Sequence, residues 1–273
     1  MHANNNELDE TTMNRRFSLR NSCRIADRLE KSPNITERYS ISTHLDIHYA
    51  PQDATILPLI QESLLDAYGI VKTWFNYSND LAISLWMAPE VKDLQYMVCI
   101  PCADSYFFAP GARDGINIIV FVSPLTCRLN HNEIRMTALL AHEITHHIIR
   151  AIAQASTDAT IRKQNLDMPM WLEEGLCQLM ECEVHPSIED KFIKSINEIS
   201  QWYDLEDLWN DLSSCSDTNS AYLQAYFATQ RLVNKIGQAE VLTLLSLNRD
   251  HKTDWRELTK SNALTALKTD EGR

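Results

Sequence analysis

Glycine and proline are scarce, at 6 and 9 in a chain of 273 residues. Tight hairpins draw on both, so the scarcity points to long helices and few sharp turns. An excess of basic charge is missing as well. The formal net charge is −12, and a surface without basic charge cannot displace counterions from phosphates, so no nucleic acid is expected as a partner. The acidity reads instead as solubility. No apolar run approaches the roughly 18 residues of a membrane helix, so no membrane span is expected. The opening Met1-His2-Ala3-Asn4 has no basic segment followed by an apolar one, so no secretory leader is expected. The 7 Cys are odd in number and lack a disulfide-like spacing, which predicts free thiols in a reducing, cytoplasmic setting. A protein exported by a dedicated machine would carry the same marks. Gly-rich phosphate loops and Ser or Cys nucleophile elbows are also absent.

What is present is an ordinary globular mixture, 44% hydrophobic and 23% charged, long enough for one substantial domain or two small ones. Residues 1–40 are polar and read as a flexible tail or loosely docked arm. Within it Arg16, Arg20, Arg24 and Arg28 recur every four positions, either as a solvated helical face or as a dock for an acidic partner. From residue 41 the pattern is regular. His44–Tyr49 alternates like a half-buried strand, residues 53–75 carry apolar side chains at helical spacing, and Leu81–Met87, Gln95–Pro101 and Gly115–Val122 read as strands. Beyond Pro124 the texture is helical. Asn130 and Glu133 have the form of a capping box for a helix running to about Ala153, and further helices are expected over 169–183, 188–200, 219–236, 238–247 and 254–267. The expectation is an α+β architecture, with a sheet lobe over 41–125 and a helical lobe over 126–273.

The chemistry sits in Ala141-His142-Glu143-Ile144-Thr145-His146. Residues four apart on a helix share a face, so both imidazoles can address one ion, with Glu143 beside them to take a proton from a water the metal polarises. A catalytic zinc needs three protein ligands and one open position, so a third ligand must come from elsewhere. The next motif, Pro169-Met170-Trp171-Leu172-Glu173-Glu174-Gly175-Leu176, places carboxylates on a second helix beside a residue without a side chain. Gly175 is expected to let that helix approach the first. Adjacent glutamates on a helix point about 100° apart, so only one of them can be the ligand.

Together the two motifs resemble the gluzincin metallopeptidases, in particular small peptidase-MA-like domains with HExxH followed by Trp-Leu-x-Glu-Gly, and more distantly the thermolysin and aminopeptidase N catalytic domains. The resemblance covers roughly residues 40–240, though only HEITH and WLEEG are sharp. It implies a zincin-like fold with the active-site cleft between its two lobes. It also implies one Zn2+ per chain held by His142, His146 and Glu174, with Glu143 as general base and Glu173 facing solvent. Tyr222-Leu223-Gln224-Ala225-Tyr226, followed by Gly237, is similar to a family helix that begins Tyr-x-Gln. By that likeness Tyr222 steadies the oxyanion, with Tyr226 one turn on as the alternative and two core tyrosines as the plain reading.

Departures from the family pattern carry expectations of their own. Where thermolysin has an aspartate one turn beyond its ligating glutamate, this chain has Gln178, whose carbonyl can accept an imidazole N–H without supplying charge. Cys177 stands where the family often has Ala and is expected to serve packing. His147 projects off the metal face and is expected to be structural. Gly111–Val122 is expected to be the edge strand that pairs with an extended peptide. The segment that grips a substrate's amino terminus in aminopeptidase N relatives is missing, which favours an endopeptidase. Cys99-Ile100-Pro101-Cys102 reads either as a redox or metal pair or as half-buried residues at a strand end, and Cys23 is a candidate for an inhibitory thiolate. The function implied is hydrolysis of peptide or protein substrates. An inactive zincin-fold scaffold and a hydrolase of non-peptide amides are the alternatives.

Overall fold

The computed structural model describes residue 25 and residues 27–98, 107–113, 116–127, 133–154, 168–196, 199 and 202–246. These fall into two compact units: described residues up to 63 together with those of 79–136, and described residues of 64–78 together with those from 137 onward.

The first unit is built on a five-stranded sheet with the order β1-β2-β3-β5-β4. Its strands are β1 (Glu37–Ser40), β2 (Leu45–Tyr49), β3 (Ile83–Ala88), β4 (Phe107–Arg113) and β5 (Ile116–Val122). The β1/β2 and β4/β5 pairs are antiparallel, whereas β2/β3 and β3/β5 are parallel. Parallel neighbours need a crossover, and helices supply both: α1 (Leu57–Trp74) between β2 and β3, and α2 (Val91–Val98) between β3 and β5. A 3-10 turn at Pro51–Ile56 leads into α1.

Two sequence expectations are corrected here. The expected strand over Gln95–Pro101 is helical as far as it is described. Val91, Leu94, Met97 and Val98 recur at helical spacing, and the last three are buried on one face. The short apolar run Met97-Val98 imitated a strand, the usual ambiguity of such runs. Gly111–Val122 is also not one edge strand. Gly111–Arg113 belong to the edge strand β4, while Ile116–Val122 form β5 between β3 and β4. The run from Ile118 to Val122 is buried throughout, as an interior strand covered on both faces requires.

The described part of the 1–40 arm joins this unit's core. Ile25, Leu29 and Ile35 are buried with Leu94, Met97, Ile118, Val120 and Val122. Arg28 donates to the Tyr96 carbonyl at 2.8 Å, and its guanidinium lies 5.4 Å from the Tyr96 ring centre. On β1, Arg38 donates through Nε to Asp46 Oδ2 at 3.0 Å, pinning the strand to β2. Arg16, Arg20, Arg24, Cys23, the Cys99–Cys102 pair, the Asn130 cap and the helix expected over 254–267 lie outside the described residues.

The second unit is helical. After the C-terminal part of α1 come α3 (Glu133–Gln154, from Thr137 onward), α4 (Met170–Val184), α5 (Pro186–Ser195), α6 (Thr218–Ile236) and α7 (Gln238–Ser246). Helix α4 starts after Pro169, and its first donors are satisfied by backbone carbonyls: Met170 N–H donates to Trp209 O at 2.8 Å and Trp171 N–H to Leu208 O at 3.0 Å. Asp217 caps α6 by accepting from the Ser220 N–H at 3.0 Å, and Gly237 ends it at φ 86°. Helix α4 lies along α6, and Gly175 sets how close they come. A Cβ there would stand 2.4 Å from the Ala225 carbonyl oxygen and 2.1 Å from Thr229 Oγ1. The glycine thus serves approach to α6, not to the helix of the HEITH motif as expected. The molecule is a mixed α/β protein with a small mixed sheet and a largely helical remainder. Among the described residues no helix is long and apolar enough to cross a membrane.

Candidate metal centre

Every residue of the centre belongs to the second unit. His142 and His146 sit one turn apart on α3, with ring centroids 5.2 Å apart. Glu174 on α4 faces both. Its Oε2 lies 3.3 Å from His142 Nε2 and its Oε1 lies 3.7 Å from His146 Nε2. The other nitrogen of each ring is also held by a carboxylate: His142 Nδ1 is 2.7 Å from Glu181 Oε1, and His146 Nδ1 is 2.8 Å from Glu173 Oε1. A carboxylate accepts from an N–H, so the outer pair fixes Nδ1 as the donor and leaves Nε2 to face Glu174. Arg150 Nη2, one turn past His146, stands 3.8 Å from the same Glu173 oxygen.

The donor chemistry fits a metal ion. In a tetrahedral site with bonds of about 2.0–2.2 Å, a ligating nitrogen and oxygen stand about 3.4 Å apart. Glu174 approaches His142 with Oε2 at 3.3 Å and His146 with Oε1 at 3.7 Å, each near that value but through a different oxygen. A sulfur donor is present too. His142, His146 and Cys177 can hold a metal ion, for their ligand atoms all lie within 4.8 Å of one another.

Burial and charge set the protonation tendencies. Burial works against a charged His142, but its contacts with Glu174 and Glu181 prevail and hold its pKa well above the ordinary imidazole value. Glu174 is buried as well, yet the two imidazoles bring its pKa below the usual carboxylate value. Glu143 goes the other way: burial raises its pKa, and the neighbouring His142 and His146 only partly offset this. The Cys177 thiol is pushed well up, first by burial and then by the field of Glu174, Glu173, Glu143 and Glu181.

The structure separates the two tyrosines. Tyr222 is raised by burial and then by Glu174, Asp211 and Glu143, so it remains a neutral O–H donor in the field of the centre. Tyr226 is fully buried and engaged elsewhere. It donates to Glu189 at 3.3 Å, accepts from Gln230 Nε2 at 2.9 Å and packs edge-on against Phe192 and Phe227.

Two expectations about the outer contacts are corrected. Glu173 does not face solvent; its side chain is 19% exposed and bonded to His146. Gln178 does not take an imidazole N–H; it is buried, and its Oε1 has no hydrogen-bond partner among the described residues. Glu181 fills that place instead. The signal for it was in the sequence, because Glu174 and Glu181 are seven apart on one helical face. His147 is fully buried.

No family model matches the chain, and no solved structure matches it significantly. Among curated proteins it is similar to "Uncharacterized protein YhcO" of Bacillus subtilis (strain 168), 23% identical over 225 residues. That match covers 80% of this chain but only 65% of the relative.

Proposed function

We propose that this protein is a zinc-dependent metallopeptidase of gluzincin type, with a zincin-like fold, acting on peptide or protein substrates as an endopeptidase. The observation that carries the reading is the arrangement around Glu174: two imidazoles within 3.3 and 3.7 Å of one carboxylate, each steadied from behind by another. Outer-sphere carboxylates of this kind hold ligating histidines in one tautomer and raise their basicity. Surface histidines have no need of them. His142, His146 and Glu174 would hold one Zn2+, which supplies Lewis acidity toward a carbonyl and lowers the pKa of a coordinated water.

The remaining chemistry belongs to the chain. Glu143 accepts a proton from the attacking water and returns it to the departing amine; its raised pKa brings it nearer to working pH, where such a relay is most efficient. Tyr222 presents a neutral hydroxyl to the oxygen that gains charge at the scissile carbon, a contact of a kind worth about 2.7–4 kcal/mol when pre-aimed. The test compares wild type with Glu143→Gln. Both bind one zinc per chain, and peptide cleavage by the variant falls about 10²–10⁴-fold. Equal cleavage profiles from the two proteins would remove the peptidase reading.

A further inference from the structure

We propose that Cys177 is a fourth protein donor of this centre, giving it a closed form held by His142, His146, Glu174 and Cys177 in addition to the open form that hydrolysis requires. The inference rests on the metal reading above and adds a regulated state to it. Catalytic zinc sites keep a position open, whereas sites with four protein ligands are closed to water and substrate. A centre that can do both is off while the sulfur is bound and on once the sulfur leaves.

Position is the first argument. Cys177 lies three residues beyond Glu174 on α4, so both side chains emerge from one stripe of the helix. Its Sγ belongs to the group of ligand atoms lying within 4.8 Å of one another. A nitrogen and a sulfur on one tetrahedral zinc stand about 3.6 Å apart, so each His–Cys separation must close by about 1.2 Å at most. A rotation about the Cys177 Cα–Cβ bond moves sulfur by more than that while leaving the helix in place.

Chemistry is the second argument. Sulfur is the softest donor within reach and a favoured zinc ligand. Cys177 is fully buried and its sulfur stands beside two imidazoles, so the position offers a ligand atom as well as a small packing group.

On closing, the Cys177 S–H bond would break, its proton would leave with the departing water to solvent, and sulfur would take that water's position on the metal. Closure would therefore remove the open position. Opening would run the other way, with water taking the sulfur's place and the thiol regaining a proton from solvent.

The test uses the full chain loaded with Co2+, and separately with Zn2+. Wild type should bind one Co2+ per chain and show the intense near-ultraviolet absorption of thiolate-to-cobalt charge transfer. Cys177→Ser and Cys177→Ala should bind Co2+ with the same stoichiometry and lose that band, while Cys99→Ser and Cys102→Ser keep it. Zinc K-edge absorption of wild type should show one sulfur at about 2.3 Å. Stoichiometric metal with only nitrogen and oxygen neighbours overturns the inference and leaves the zinc reading standing, as does a band that survives in Cys177→Ser. Failure of wild type to bind metal overturns both.

Discussion

Replacing Gly175 with alanine sets two effects of opposite sign against each other. Alanine is the better helix former by about 1 kcal/mol, and Gly175 lies inside α4 rather than at an end. On propensity alone Gly175→Ala would stabilise the protein. The added Cβ, however, would stand 2.4 Å from the Ala225 carbonyl oxygen, 2.1 Å from Thr229 Oγ1 and 2.8 Å from Thr229 Cβ. Thr229 can turn its hydroxyl away, but the Ala225 oxygen is backbone and cannot. An ordinary contact is about 3.5 Å, so α4 and α6 must separate locally by about 1 Å. Overpacking of that kind costs about 1–3 kcal/mol, at the upper end where backbone must move. The net expectation is a loss of about 1–2 kcal/mol after the propensity gain.

The same movement reaches the centre, because the displaced residue is the neighbour of Glu174. A shift of about 1 Å there lengthens one or both of its approaches to the imidazoles, and misplacements of this size cost catalytic sites about 10²-fold. Urea unfolding followed by tryptophan fluorescence reads the stability, and competition with a chromophoric chelator reads the metal affinity. Adding Thr229→Ala should restore only part of the loss, since the contacts at 2.4 and 2.8 Å survive it. A Gly175→Ala protein as stable as wild type, with unchanged metal affinity, would refute the reasoning.

Glu181→Gln and Glu173→Gln should each weaken metal binding about 10–100-fold in a chelator competition; an unchanged affinity would mean that the outer carboxylates do not act on the imidazoles. Tyr222→Phe should lower peptide cleavage about 10²-fold with little change in unfolding. Tyr226→Phe should instead cost about 1–2 kcal/mol of stability by stripping Glu189 and Gln230 of a partner. The Asp46 carboxyl is held down at about 2 although burial works against its charge, because His48, Ser84 and Arg38 surround it. Its folded pKa lies below the unfolded value of 3.8, so its contribution is full above that pH and disappears as pH falls through about 2. Discounted for partial exposure, Asp46→Asn should cost about 1–2 kcal/mol at neutral pH, a deficit that narrows in urea titrations run from about pH 4 downward.

The sequence exposes the centre better than its surroundings, and the reason is physical. Spacing along one helix determines which side chains share a face, so His142 with His146, and Glu174 with Cys177 and Glu181, are legible before any fold is known. What spacing cannot supply is the face opposite. The family likeness turns Glu173 to solvent, whereas in the fold the two adjacent glutamates of α4 approach the two nitrogens of one ring, His146. The motif likewise points Gly175 toward the HEITH helix, whereas its close contacts are on α6. The motif shows that something approaches closely, and only the packing shows that it is α6, through the Ala225 carbonyl and the Thr229 side chain.

Both glutamates and Gly175 lie on α4, and that bears on how the centre works. Helix α4 carries Glu174, both outer carboxylates and Cys177, so the inner ligand, the two supports and the proposed fourth donor move as one body relative to α3. Rotating α4 by one residue would not exchange one ligand for another; it would break the inner and outer contacts together. The placement of α4 is therefore what the proposed centre depends on, and the close contact of Gly175 with Ala225 and Thr229 of α6 limits where α4 can lie.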